Sequence, residues 1–163
     1  METVLWSRHG LVRSGFGRPL NAANREQEMR WRRELLSAHQ IVGLTTFVSM
    51  LATIYYGQRM YNNQDFTLRH THRELAFFTI GAYTTTALLA LATPPPLVRR
   101  KQWSSISTHK ALAWVHLTGL IVTPTIGLMI KNSASPRRLE GFHLASAYLT
   151  TATFGASILV LTF

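Results

Sequence analysis

The chain has 163 residues, 47% of them hydrophobic, with 17 lysines and arginines against 7 acidic residues, a formal net charge of +10 and no cysteine. That length suits one domain, and the lack of cysteine excludes a disulfide framework, a thiolate metal site and thioether attachment of a prosthetic group. The charge does not make a nucleic-acid binder, because the basic residues lie almost wholly outside long apolar runs, where they suit membrane topology and anionic lipid headgroups.

Residues 1–37 read as a basic, partly helical arm. Its opening, Met1 to Trp6, is too short for the core of a secretory signal, and Arg8 follows at once. Gly10, Gly15, Gly17 and Pro19 predict an irregular start. Asn21 or Asn24 then caps a helix running through Glu26, Glu28 and Met29 towards Ser37. Its acids come early and Arg30, Arg32 and Arg33 come late, as the helix dipole prefers. The arm is expected to be an amphipathic surface helix leading into the membrane.

Residues 38–163 carry four apolar runs, each near the roughly 20 residues that a bilayer core requires. The first spans about Ala38 to Gly57, has no charge after His39 and ends near Tyr55, Tyr56 and Tyr61, as interfacial aromatics do. A polar connector, Gln58 to Thr71, leads to a second run from about His72 to Thr93. Pro94-Pro95-Pro96 cannot continue a helix and closes it. Arg99, Arg100 and Lys101 follow as a basic clamp at the membrane face, beside Trp103. The third run, Thr108 to Ile130, contains Pro124, which is expected to kink it. A turn over Lys131 to Arg138 precedes the fourth run, Phe142 to Phe163. The expected fold is all-α: an integral membrane four-helix bundle with an N-terminal basic arm. The face bearing the arm and the Pro94 to Lys110 connector is the more basic, so both termini are expected in the cytoplasm, with a bacterial inner membrane as the setting.

Each run opens on a histidine: His39, His72, His109 and His143, each followed four places on by a small residue (Gly43, Ala76, Ala113 and Ala147). Helix direction puts His39 and His109 near the arm-side face and His72 and His143 near the other. Low-spin haem iron takes two axial ligands from opposite sides of its plane, and facing helices of a bundle can supply them. The pattern therefore predicts two haems, one held by His39 and His109 and one by His72 and His143. Without cysteine they are non-covalent haem b. The small residues lie one turn deeper on the same face, where a porphyrin edge needs room. His116, seven residues beyond His109, is expected to be hydrogen-bonded nearby or quinone-related, and it rivals His109 as ligand. His70 is a lesser rival to His72, and His9 belongs to the arm. No phosphate-cradling glycine loop and no metal-hydrolase spacing is present. Acidic groups are nearly absent from the runs, which argues against a proton-coupled carrier.

At these residues the chain resembles the cytochrome b561 superfamily of transmembrane dihaem b-type cytochromes. Ser107-Thr108-His109-Lys110 is similar to that family's Ser-x-His segment, and His39 with Gly43, Gly57 and Arg59 to the first core helix of its larger members. The resemblance covers residues 38–163 and implies a four-helix core, with one ligand per helix, that transfers electrons. The ascorbate-linked motifs of the family are not evident. The expected function is electron relay between partners or a quinone, as a subunit of a larger redox or oxidoreductase complex. The alternative is a haem-free structural subunit of a respiratory or photosynthetic assembly. Expected partners are membrane lipids, a redox protein or larger complex, and quinone, with no nucleic acid.

Overall fold

The computed structural model describes residues 5–7, 10–15, 19–98 and 102–162. Among them the order is α1 (Leu11–Gly15), α2 (Ala22–Asn63), a 3-10 turn (Phe66–Leu68), α3 (Arg69–Ala92), α4 (Ser105–Met129), a second 3-10 turn (Ile130–Asn132) and α5 (Pro136–Thr162), with no strand. Four helical stretches are long and apolar enough to cross a membrane: Ala22–Asn63, Phe66–Ala92, Ser105–Asn132 and Pro136–Leu161. His9, Arg8, Arg18 and the basic cluster Arg99, Arg100 and Lys101 lie outside the described residues.

Asn21 begins α2, its side-chain oxygen accepting the Asn24 amide at 2.8 Å, as an N-cap does. From there to Val42 the chain has no glycine or proline and is rich in Arg, Glu, Gln, Leu and Ala, all good helix formers. The backbone therefore does not break near Ser37, where the arm was expected to give way to the first membrane run. One helix of 42 residues results, about 63 Å long, roughly twice a bilayer core. The other runs also extend past their expected ends. α3 starts at Arg69 rather than His72, and α5 starts at Pro136, a residue suited to a first helical position. Between α2 and α3, Gln64 takes a left-handed φ of 52°, and Asp65 accepts the Thr67 amide at 3.1 Å and its hydroxyl at 2.5 Å.

The chain divides into two units, Met1–Thr45 with Gly81–Arg99, and Thr46–Ile80 with Arg100–Phe163. In the first, the start of α2 is tied to the chain just past α3. Arg25 is ion-paired with Glu28, whose side chain is buried, and donates to the Pro95 carbonyl at 3.2 Å. Arg32 donates to the Pro94 carbonyl at 2.5 Å. Guanidinium groups thus meet carbonyls that follow a helix end, where no intrahelical donor remains.

The second unit packs portions of all four membrane-length helices. α2 and α3 share hydroxyl bonds, Thr79 to Ser49 at 3.0 Å and Thr53 with Thr79 at 3.2 Å. α4 and α5 are joined by Thr123 donating to Ser146 at 3.0 Å. Phe47 of α2 stacks on Phe154 of α5 with centroids 6.2 Å apart. At one end Arg137 lies 3.7 Å over the Tyr61 ring and donates to the Tyr61 carbonyl at 2.8 Å.

The distribution of polarity is that of a protein solvated by lipid. Buried positions are dominated by Thr46, Ser49, Thr79, Thr150 and Ser157, while Leu128 is 80% exposed and Ile41, Trp114 and Leu149 are exposed as well. In water that arrangement would leave a large apolar surface hydrated. In a bilayer, small hydroxyl residues bring helices close and their hydrogen bonds hold them, while the large apolar side chains meet acyl chains. Threonines also return their hydroxyls to their own helices, as Thr150 does to the Ser146 carbonyl at 2.6 Å.

Candidate functional site

Each of the four histidines that open the apolar runs is held in the same way. His39 Nδ1 bonds the Thr86 carbonyl at 2.9 Å, and His72 Nδ1 the Thr53 carbonyl at 3.0 Å. His109 Nδ1 bonds the Ser157 carbonyl at 2.9 Å, and His143 Nδ1 the Thr123 carbonyl at 2.8 Å. A carbonyl oxygen only accepts, so Nδ1 carries the hydrogen in all four. In the neutral ring Nε2 then keeps its lone pair, which is the tautomer that a metal-ligating imidazole adopts when its other nitrogen is anchored. Each carbonyl belongs to a neighbouring helix and has a second lone pair, so it can take the ring in addition to its helical amide.

Within the second unit, α3 and α5 bring two of these rings together. His72 and His143 meet edge to face, with centroids 6.0 Å apart and ring planes at 73°. Two imidazoles bonded from opposite sides to one metal, at about 2.0 Å each, would have centroids about 6.3 Å apart. The spacing fits such a centre. Among the described residues no three His, Cys, Asp or Glu side chains converge, and a porphyrin iron asks only a pair of the protein.

His39 belongs to the first unit. His109 and His116 are both on α4, but His116 is buried against Phe154, ring centroids 4.9 Å apart and planes at 61°. It extends the aromatic row that begins at Phe47, and it does not join His72 and His143. His70 is exposed, 3.8 Å from the Glu74 carboxylate one turn on.

Two residues matter here that the histidine pattern does not point to. A Cβ on Gly57 would lie 3.0 Å from His72 Cε1, and one on Gly127 would lie 2.9 Å from His143 Cε1. The room beside these rings is therefore made by glycines on the neighbouring helices. The small residue one turn beyond a histidine does something else at Gly43, where a Cβ would make ordinary contact with Thr86 at 3.5 Å. A signal for the two glycines exists in the chain: Thr53 and Gly57 recur seventy positions on as Thr123 and Gly127, and His39 recurs as His109. Comparison of the chain with protein-family models, curated proteins and solved structures returns no match.

Proposed function

We propose that this is a membrane electron-transfer protein, a b-type cytochrome resembling the cytochrome b561 superfamily, in which His72 and His143 are the axial ligands of one haem. The observation that carries the reading is their pairing at 6.0 Å, with both Nδ1 atoms committed to carbonyls. Held there, haem iron would accept and pass on single electrons. The protein's own part is to orient two imidazoles from α3 and α5, to keep their Nε2 atoms unprotonated and to surround them with low-dielectric helix. His39 and His109 carry the same Nδ1 anchoring, each inside its own unit, and on the sequence pattern each is assigned as a haem ligand.

The short connectors provide no docking domain for a redox partner, so a larger membrane complex, a soluble electron carrier or a quinone completes the circuit. Positive-inside asymmetry puts both termini in the cytoplasm. The reading is tested by reduced-minus-oxidised absorption of the purified chain and of His72→Ala and His143→Ala. The unmodified chain should show the bands of low-spin haem b, and each variant should lose the same component. A chain without those bands would instead be a haem-free membrane subunit.

A further inference from the structure

The two histidine seats in the second unit are built alike. In each, a threonine carbonyl (Thr53 or Thr123) takes the Nδ1 hydrogen, and a glycine four residues on (Gly57 or Gly127) lies under the ring. Along a helix, the residue four places on is the one whose amide closes on that carbonyl, so it stands beside any group that shares the same oxygen. A side chain there would cover the approach. A methyl added at Gly57 would have three nearest atoms that all belong to His72, at 3.0, 3.3 and 4.0 Å. At Gly127 all three belong to His143, at 2.9, 3.1 and 3.8 Å. No other side chain or backbone comes closer, which separates these glycines from Gly119, whose Cβ would run into the Thr150 side chain, and from Gly81, which faces open space.

We propose that Gly57 and Gly127 are positioning residues, each leaving the space in which a histidine ring lies against the threonine carbonyl one turn earlier. Thr-x-x-x-Gly is then a histidine seat used twice, at a seventy-residue interval, and the glycine sets both the hydrogen bond and the direction of the ring. That the seated rings hold iron rests on the function proposed above; the seat does not depend on it.

A double-mutant cycle on the full chain in detergent separates the seat from ordinary helix packing. Gly57→Ala should lower the unfolding midpoint by about 3–8 °C, because one methyl is forced against a packed ring. In a His72→Ala background the same substitution should have little effect or raise the midpoint, since the ring it strikes is gone. Gly127→Ala with His143→Ala should behave likewise, and Gly81→Ala should show no coupling to either histidine. If Gly57→Ala fails to fold while Gly57→Ala/His72→Ala folds, the seat is supported. Equal losses in both backgrounds, no loss in either, or failure of both variants to fold would overturn it. A second readout is the 15N signal of the imidazoles. Gly57→Ala should weaken or remove the Nδ1–H bond of His72 while leaving that of His143 in place, and unchanged His72 signals would again overturn the proposal. Should the unmodified chain carry no haem while the cycle remains non-additive, the cytochrome reading fails and the seat stands.

Discussion

The imidazoles of His72 on α3 and His143 on α5 face each other edge to face at 6.0 Å, although seventy residues of chain separate them. Each ring spends its Nδ1 hydrogen on a backbone carbonyl, and each rests over a glycine. Polar rings among lipid-facing helices are unfavourable unless their hydrogen-bonding groups are occupied. Here one nitrogen of each ring is satisfied by the protein, and the proposed iron would satisfy the other.

The pairing makes the two histidines a unit. His72→Ala and His143→Ala should each remove the same haem, about half of the total if two are bound, and the double variant should remove no more than either alone. His116→Ala should leave the haem content intact, because its ring packs on Phe154 at 4.9 Å, apart from that pair. Loss of a haem with His116→Ala would reinstate it as a ligand. Haem absorbance per mole of protein, measured on the four variants, decides this.

Much of the fold was legible in the sequence. Four apolar runs, the triple proline and the four histidines are local signals, and each corresponds to an element, a helix end or an anchored ring in the structure. The unbroken α2 was not legible, since a change from basic to apolar composition between Arg33 and Ile41 alters which solvent a helix prefers without altering its backbone. Nor were the partners of the histidines. They are main-chain carbonyls of Thr53, Thr86, Thr123 and Ser157, and a carbonyl leaves no mark in residue identity. Gly57 and Gly127 had a trace in the recurrence of Thr-x-x-x-Gly, but their contact with a ring on another helix depends on packing.

Glycines elsewhere in the helices should separate by what surrounds them. Gly119→Ala drives a methyl into the Thr150 hydroxyl and should destabilise the α4–α5 contact by about 1–3 kcal/mol. Gly81→Ala meets nothing within 4 Å and should stabilise α3 by about 0.4–1 kcal/mol through the better helix former. Unfolding of both variants in the same detergent checks the contrast.

The start of α2 should depend on its buried carboxylate. Glu28→Ala leaves Arg25 without its ion-pair partner and should cost about 3 kcal/mol. Arg32→Ala removes the bond to the Pro94 carbonyl and should cost about 1.5–3 kcal/mol. Both should appear as faster amide exchange over residues 22–38, with exchange in α5 unchanged.

The connector between α2 and α3 should respond to acid. The Thr67 hydroxyl and then its amide hold the Asp65 carboxylate below its ordinary value of 3.8. A lowered folded-state value stabilises the turn above the unfolded value, and that contribution is lost as pH falls through the folded one. The protection factor of the Thr67 amide, its exchange rate relative to the intrinsic rate at each pH, should therefore hold above about pH 4 and fall below it. Asp65→Asn should flatten that response.

Whether these anchored histidines hold haem is decided by a pyridine-haemochrome count on the purified full chain. Two haems b per polypeptide is the predicted result, with His72 and His143 accounting for one of them. A count of zero under conditions where the helices are folded would contradict it.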